Sequence, residues 1–365
     1  MQPVYLDHNA TTPMRPETIA AVAAAQAMCG NASSVHAWGR RARARIEDAR
    51  EQVAALVNAK PEWVVFTSGG SEANNLALQG IDGKIYASAV EHPSVLEARD
   101  DIIEIPVDAD GWVQLDALPE DAALVSVMLA NNETGVSQPV ARVSEIAKSR
   151  SSLIHCDAVQ AAGRIAFEMG SLGADMLTLS AHKIGGPQGV GALIVRDGVR
   201  LDAHIRGGGQ ERGLRAGTEN VAAIAGFGAA AAVARTELAQ AQSLHRLRDR
   251  LESEIRAIAP GAVVFGAGKP RLPNTSCIAM PGVSAETQLM AFDLAGVMVS
   301  AGSACSSGKV AKSHILAAMG VADDVAETAI RVSLGWTTTE ADIARFVAVW
   351  RDLFLSTRQR MGEVA

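Results

Sequence analysis

Two neighbouring stretches decide the fold of this chain: residues 176–183 read MLTLSAHK, and residues 185–189 read GGPQG. A short apolar run bounded by turn residues predicts a buried strand, which here ends at Lys183. An ammonium group is uncommon at such a position unless it has a partner or a chemical role. Upstream, residues 153–156 (LIHC) form a second apolar run that ends at Asp157. The interval between Asp157 and Lys183 has about the length of a strand, a crossover and a second strand.

In a parallel sheet these two strands would deliver Asp157 and Lys183 to the same edge. A lysine amine that faces a carboxylate across a cleft suits pyridoxal 5'-phosphate. The lysine forms a Schiff base, and the carboxylate keeps the ring nitrogen protonated so that the ring accepts electrons. For such a pair alone, solvated loop residues are the alternative. The glycine-rich turn lacks both Gly-x-Gly-x-x-Gly and a Gly-Lys-Ser/Thr ending, which disfavours a nucleotide phosphate loop.

Composition limits the classes of function. The chain has 365 residues, 48% of them hydrophobic, so it can bury a large core and is expected to form two domains. The net charge of −7 disfavours nucleic-acid or anionic-membrane binding, and no apolar stretch is long enough to span a bilayer. No signal peptide is evident and no metal site is expected. The cysteines show no paired spacing, which indicates the reducing cytoplasm: Cys29, Cys156, Cys277 and Cys305.

Patterns along the chain predict the domain organisation. Short apolar runs alternate with helix-like stretches over about residues 61–234, which predicts an α/β unit with a mainly parallel sheet and helices on both faces. Leucine and isoleucine at spacings of three and four predict a long amphipathic helix over 244–258. We therefore expect a large α/β domain over residues 14–243 and a smaller α+β domain formed by residues 1–13 and 244–365.

Three further segments follow predicted strands and carry polar side chains. Residues 67–75 (TSGGSEANN) open a helix whose N-terminal amides and hydroxyls could cradle a phosphate, although an ordinary cap at Ser71 is the alternative. His92 could lie on an aromatic cofactor ring or carry a proton, with a loop histidine of no role as the alternative. Residues 131–135 (NNETG) could steady a ring hydroxyl or a substrate carboxylate, but these residue types are also common in turns.

Two glycine-rich loops complete the set. Residues 206–218 (RGGGQERGLRAGT) are expected to be too flexible for a packed element and suit an anion-facing loop at an interface, with a surface linker as the alternative. Residues 300–309 (SAGSACSSGK) place Cys305 among small polar residues, where Lys309 and Lys312 would favour its thiolate. Small and glycine residues on both sides would let the Cys305 thiol move from one position to another. The other three cysteines have apolar neighbours and are expected to be packing residues.

Taken together, these motifs resemble the cysteine desulfurases of the NifS/IscS type, in the class V aminotransferase-like group of fold-type I pyridoxal phosphate enzymes. Matching segments run from residues 5–12 (YLDHNATT) to residues 331–335 (RVSLG), and residues 180–183 (SAHK) with 302–305 (GSAC) are the most specific. The resemblance implies an α/β fold in which a large domain contains a mainly parallel, seven-stranded type of sheet and a smaller α+β domain carries the Cys305 loop.

The resemblance also implies a role for individual residues in cofactor binding. Lys183 would form the Schiff base, Asp157 would hold the pyridinium nitrogen and Gln160 would bond the ring hydroxyl. His92 would stack on the ring. The phosphate would be held by Gly70, Ser71, Ser180, His182 and, from the neighbouring subunit of a homodimer, Thr218.

For substrate and product, the resemblance implies that Asn132 and Arg331 hold the carboxylate of L-cysteine and that Cys305 accepts its sulfur as a persulfide. L-Alanine would be released, and the sulfur would serve iron–sulfur cluster or other thio-cofactor assembly through a scaffold or acceptor protein. A selenocysteine lyase or another fold-type I activity is the alternative, since such enzymes need Lys183 and Asp157 but no mobile thiol. A non-catalytic sulfur-transfer scaffold is a further alternative.

Overall fold

The computed structural model describes residues 3–238, 241–302, 312–360 and 362. The strands in chain order are β1 (Val4–Tyr5), β2 (Val64–Thr67), β3 (Ile85–Ser88), β4 (Ile103–Ile105), β5 (Leu124–Ser126), β6 (Leu153–Asp157), β7 (Met176–Ser180), β8 (Gly191–Val195), β9 (Val263–Val264), β10 (Thr275–Ala279), β11 (Val297–Met298), β12 (Ser300–Ala301) and β13 (Ala329–Ser333). The helices are α1 (Pro16–Gln26), α2 (Ala37–Leu56), α3 (Gly70–Gln79), α4 (Pro93–Leu96), α5 (Val140–Ser149), α6 (Met169–Leu172), α7 (Val221–Thr236), α8 (Ala241–Ile258), α9 (Ala285–Leu294), α10 (His314–Ala318), α11 (Asp323–Ala326) and α12 (Glu340–Arg360).

A seven-stranded sheet organises the larger part of the molecule, in the order β2-β8-β7-β6-β5-β3-β4. The pairs β4–β3, β3–β5, β5–β6 and β6–β7 are parallel, whereas β8 runs antiparallel to both β7 and β2. The predicted mainly parallel α/β sheet is therefore confirmed. Because β6 and β7 are parallel neighbours, their carboxyl ends, and with them Asp157 and Lys183, lie at one edge of the sheet.

Helices cover both faces of this sheet. On α2 the residues Ala42, Ile46, Ala49 and Val53 recur every three or four positions, and all four are buried against the sheet and α7. On the other face, α3 buries Ala73, Leu76 and Ala77 against strands that include β3 and β8. The strands between these layers are apolar on both sides, which is why they read as continuous apolar runs.

A second hydrophobic core lies around the antiparallel sheet β12-β13-β10-β9 and the parallel pair β1–β11. The rings of Phe292 and Phe346 stack in it with centroids 4.7 Å apart. Val4 and Leu6 pack into the same core, so the start of the chain joins the elements that follow α8. No helix among the described residues has the length and apolar character needed to cross a membrane.

Candidate active site

Side chains at the carboxyl ends of the central strands, together with the start of α3, line one cleft. Its wall is formed by Gly70, Ser71, Asn74, His92, Ser94, Met128, Ala130, Asn132, Asp157, Val159, Gln160, Ser180, His182 and Lys183. Nine of these positions are the cofactor and substrate residues expected from the sequence. The structure therefore brings together segments that are far apart in the chain, because parallel strands end at a common edge.

Asp157 is held in place by two hydrogen bonds. The side-chain amide of Asn74 donates to one carboxylate oxygen at 2.8 Å, and the backbone N–H of Val159 donates to the other at 2.9 Å. The Asn74 amide also donates to the hydroxyl of Ser94 at 2.9 Å. We did not single out Asn74 from the sequence, although its position four residues after Gly70 places both on one face of α3.

Lys183 lies in a tight 3-10 turn that follows β7, and its ammonium group meets backbone oxygens of the N-terminal segment. Nζ donates to the carbonyl of Asn9 at 2.5 Å and to that of Ala10 at 2.8 Å. Both acceptors are neutral dipoles. The amine is thus oriented by hydrogen bonds, and no carboxylate of the described residues contacts it to hold its proton.

The environment lowers the pKa of Lys183 to about 7. Burial is the main cause, and the nearby positive charges of Arg164 and Arg331 add to it, while Asp7 and Asp157 oppose the shift. A lysine with this pKa is neutral in a large fraction of molecules at pH 7. The neutral amine can attack a carbonyl carbon or accept a proton, which an ordinary lysine ammonium cannot.

The N-terminus of α3 forms one end of the cleft. The structure makes Gly69 the N-cap residue, with no side chain bonded to the first-turn amides, so Ser71 is not the ordinary cap that the sequence also allowed. Helix N-terminal amides with no cap attract anions. Across this end lie Ser180 and His182, and the Nδ1 of His182 lies 3.2 Å from the hydroxyl of Thr11.

His92 is the N-cap residue of α4, and its tautomer follows from its contacts. The backbone N–H of Ser94 donates to Nδ1 at 3.1 Å, so Nδ1 is the acceptor and the neutral ring carries its proton on Nε2. Burial lowers the pKa of His92, although Asp157 opposes the shift. The ring is therefore a neutral imidazole on the wall of the cleft, as a residue that stacks on a cofactor ring would be.

Glu91, which precedes His92, is fully buried and was missed in the sequence. Its Oε1 accepts a hydrogen bond from the backbone N–H of Met128, and its Oε2 has no partner among the described residues. Burial, with a contribution from Asp157, raises the pKa of Glu91 well above its usual value. Through its hydrogen bond to Met128, Glu91 joins the segments that follow β3 and β5.

Arg331 on β13 brings the second core to the edge of the cleft. Its guanidinium pairs with the carboxylate of Asp7 at 2.8 Å and donates to the backbone carbonyl of Asn132 at 3.2 Å. Its Nε is buried and has no partner among the described residues. Arg331 and Asn132, both expected to hold a substrate carboxylate, are therefore neighbours, and Asp7 is a partner that sequence patterns did not indicate.

Two expected residues remain. Thr218 is exposed and does not line the cleft, and Cys305 lies outside the described residues. Of the three cysteines expected to be packing residues, Cys156 and Cys277 are buried, but Cys29 is exposed and that prediction was wrong. Cys29 follows the end of α1, where an apolar neighbour in sequence does not ensure burial.

The loop at residues 206–218 also differs from the expectation that it is too flexible to pack. Glu211 is buried and accepts two hydrogen bonds from Arg50, each 2.9 Å long. A second ion pair joins Arg215 to Glu72, on the first turn of α3, at 2.8 Å. Two ion pairs therefore fix this loop to the helices beside the cleft.

Comparison with known proteins agrees with this geometry. A model of the class-V aminotransferases matches residues 4–346. The chain belongs to the class-V aminotransferase family. Among curated members, "Cysteine desulfurase IscS" of Dictyoglomus turgidum is 42% identical over 360 residues, covering 93% of this chain and 91% of the relative. A "Cysteine desulfurase" of Sinorhizobium fredii is 43% identical over 371 residues and covers 96% of each chain.

Solved structures of class-V aminotransferase relatives have the same fold. A "NifS-like protein" from Rickettsia africae superposes with a TM-score of 0.91 at 36% identity, covering 97% of this chain and 99% of that one. A structure described as "SspA in complex with cysteine" gives a TM-score of 0.78 at 29% identity, covering 91% of this chain and 98% of that one. The resemblance and the fold expected from the sequence are both confirmed.

Pyridoxal 5'-phosphate is the cofactor of this class-V aminotransferase family member, and the residues present fit it. Uncapped amides of α3 suit the phosphate, the Asp157 carboxylate suits a protonated ring nitrogen, and Lys183 supplies an amine with a pKa near 7 for the aldehyde carbon. The three groups line a single cleft. Each of the three groups therefore has the chemistry that one part of the cofactor requires: its phosphate, its ring nitrogen or its aldehyde carbon.

Proposed function

We propose that this chain is a cysteine desulfurase, which removes sulfur from L-cysteine and releases L-alanine. The observation that carries the proposal is the single cleft that joins Lys183, Asp157 and His92 and that borders Arg331 through Asn132. The names of the curated relatives and the presence of Cys305 in the sequence support it.

Bound pyridoxal phosphate would supply an electron sink for the charge left on Cα of the substrate when its proton is removed. The residues of the chain prepare this step. Lys183, with a pKa near 7, is available as the base that takes the Cα proton. Asp157, oriented by Asn74 and Val159, would favour a protonated ring nitrogen.

Binding of the substrate is assigned to the rim of the cleft. Arg331 would hold the carboxylate of L-cysteine together with Asn132, in place of or beside the Asp7 carboxylate that it contacts here. His92 would stack on the cofactor ring, and Gln160 would bond the ring hydroxyl. The phosphate would be held by Gly70, Ser71, Ser180 and His182 of one subunit, together with Thr218 of the partner subunit.

Cys305 would then complete sulfur transfer. Its thiolate attacks the substrate sulfur, so an S–S bond forms while the Cβ–S bond breaks. The electron pair of the broken bond stays with the substrate carbon, Cβ takes up a proton, and the proton that Lys183 removed returns to Cα. The products are L-alanine and a persulfide on Cys305. The reaction needs no external oxidant or reductant until the persulfide sulfur leaves. We propose that an acceptor protein takes this sulfur for iron–sulfur cluster or other thio-cofactor assembly.

A comparison of two cysteine variants tests the assignment. With L-cysteine and dithiothreitol, the wild-type protein should form alanine and sulfide in equal amounts. Cys305→Ala should keep the bound yellow cofactor but lose both products, whereas Cys29→Ala, which changes the exposed thiol among the described cysteines, should react normally. Alanine formation at the wild-type rate by Cys305→Ala would show that another group accepts the sulfur.

The domain organisation and the cellular location are also part of this proposal. We place the domain boundary at residues 13–14 and 243–244, so that residues 1–13 belong with the part that follows α8. Packing of Val4 and Leu6 with Leu251 in the second core supports that division. Cytoplasmic location is supported by the free thiols among the described cysteines, at Cys29 and two buried positions.

A further inference from the structure

A buried arginine lies behind the cleft, against the side chain of Gln160. Arg164 follows β6 and is 8% exposed. It donates to the backbone carbonyl and to the side-chain Oε1 of Gln160, and to the backbone carbonyl of His8 at 3.0 Å. All three acceptors are neutral, and no ion pair within the described ranges includes Arg164. A buried cation usually has a carboxylate partner that offsets its charge. Because Arg164 has none among the described residues, its charge acts on the groups around it.

The contact with Arg164 determines which way the Gln160 amide points. A guanidinium group can only donate hydrogen bonds, so the side-chain atom that faces it must be the oxygen of Gln160. The NH2 group of the amide then lies on the other side, where it donates to the backbone carbonyl of Asn9 at 3.1 Å. Gln160 also lines the cleft. Its amide therefore presents N–H groups, rather than an oxygen, to the cofactor side.

The same arrangement connects Arg164 to Lys183. The carbonyl of Asn9 accepts from both the Gln160 amide and the Lys183 ammonium group, the latter at 2.5 Å. Arg164 and Lys183 also line a common cavity on the far side of the lysine. The other charged or titratable groups that act on Lys183 among the described residues are His92, His182, Arg331, Asp7 and Asp157. After burial, Arg164 is the strongest of the influences that lower the pKa of Lys183.

We propose that Arg164 is a positioning residue for the cofactor reaction: it turns the N–H groups of Gln160 toward the ring hydroxyl oxygen, and its charge favours the neutral amine of Lys183. The proposal rests on the functions proposed above for Gln160 and Lys183. An N–H donor stabilises the ionised ring oxygen, and a nearby positive charge disfavours a second one on the lysine. Both effects come from one side chain that touches neither substrate nor cofactor.

The first experiment measures Lys183 in cofactor-free protein, where no reaction can contribute. Reductive methylation with formaldehyde and cyanoborohydride at a series of pH values, followed by mass spectrometry of the Lys183 peptide, gives the apparent pKa of this amine. In the wild-type protein we expect a value near the 7 that its surroundings indicate. Arg164→Met should raise it by about one unit, a tenfold change in the acid dissociation constant. An unchanged titration in Arg164→Met would overturn the proposal.

Two variants separate the charge from the geometry, and a third is a matched control. Arg164→Lys keeps the charge and should leave the Lys183 titration near that of the wild type, whereas Arg164→Gln loses the charge, keeps a donor for Gln160 and should shift the titration like Arg164→Met. Arg164→Gln also serves if the methionine variant does not fold. Arg15→Met is the control, because Arg15 lines the same cavity but is paired with Glu237. Its effect should stay below about 0.3 unit.

The second experiment tests the orientation of Gln160 in the protein loaded with pyridoxal phosphate. The pH at which the visible absorption band of the cofactor changes should rise in Arg164→Met, in which the Gln160 amide is no longer fixed, and should stay near the wild-type value in Arg164→Lys, whose ammonium group can also only donate to the amide oxygen. In Arg164→Gln, which keeps a donor for the Gln160 amide, this pH should change less than in Arg164→Met. Failure of the wild-type protein to bind the cofactor or to form alanine would refute the proposed function. Normal wild-type activity with identical titrations in all Arg164 variants would refute only the role of Arg164.

Discussion

Replacement of Glu211 by alanine should destabilise the protein far more than the loss of an exposed ion pair. Glu211 accepts two hydrogen bonds of 2.9 Å from Arg50 and one of 2.8 Å from the backbone N–H of Phe66. The Arg50 and Glu211 side chains are 6% and 2% exposed. Alanine would leave a buried guanidinium group without its main counter-charge, although Glu47 still contacts Arg50 at 3.1 Å.

The expected cost is about 3–5 kcal/mol, which is typical when one partner of a buried ion pair is removed. Backbone strain does not enter this figure. Glu211 has φ of 45°, in the left-handed region, and alanine keeps the Cβ that makes this conformation unfavourable. The remaining contact with Glu47 places the expected value toward the lower end of the range.

Urea denaturation at fixed protein concentration measures the effect, and Asp197→Ala is the matched control. Lys60 and Asp197 form an ion pair of 2.8 Å, as short as that of Arg50 and Glu211, but their side chains are 55% and 65% exposed. Asp197→Ala should leave the midpoint unchanged within error. If Glu211→Ala costs less than about 1 kcal/mol, or if both variants shift the midpoint equally, burial is not what gives this ion pair its strength.

Two buried titratable groups lead to further predictions. His155 lies between the hydroxyls of Ser126 and Thr178, and burial lowers its pKa to about 4. In the unfolded chain its pKa has the ordinary value of about 6.5, so protonation favours the unfolded chain as the pH falls below that value. The free energy of unfolding should drop by about 2 kcal/mol from this group between pH 7 and pH 5, and His155→Gln should remove that part of the pH dependence in urea titrations. Burial raises the pKa of Glu91 well above its usual value and so favours its neutral form, which Gln resembles. Glu91→Gln should therefore change the stability by less than about 1 kcal/mol, whereas Glu91→Ala should cost clearly more in the same assay. A large loss in Glu91→Gln would show that the carboxylate is ionised in the folded protein.

The general outline of the site could be predicted because it depends on local patterns. An apolar run that ends in a polar residue predicts a buried strand, and parallel strands place such ends at one edge of the sheet. Asp157 and Lys183 meet these conditions. The glycine-rich start of α3 also follows a predicted strand, which predicts a phosphate-binding site at the same edge. On α2 the spacing of the apolar residues likewise matches the face that is buried against the sheet.

The residues that tune the site could not be predicted, because their contacts are made between distant parts of the chain. Glu211 and Arg50 are 161 residues apart, and no local pattern in the glycine-rich loop indicates that one of its side chains is buried. Asp7 contacts Arg331 on β13, and Arg164 contacts the backbone carbonyl of His8. Both contacts form only when the N-terminal segment packs against parts of the chain that are far away in sequence. Glu91 reads as part of a polar turn, and its burial follows from its hydrogen bond to Met128.

The N-terminal segment imposes an order on how the protein can be made. Asp7 pairs with Arg331, 324 residues further along the chain, and Asn9 contributes a carbonyl to Lys183. At about 5–20 residues per second, a ribosome needs on the order of half a minute to synthesise that interval. During this time the segment around Asp7 has no strand β13 to join. The seven-stranded sheet can assemble before β13 is made, but Lys183 acquires its final surroundings only when the segment around Asn9 and strand β13 meet.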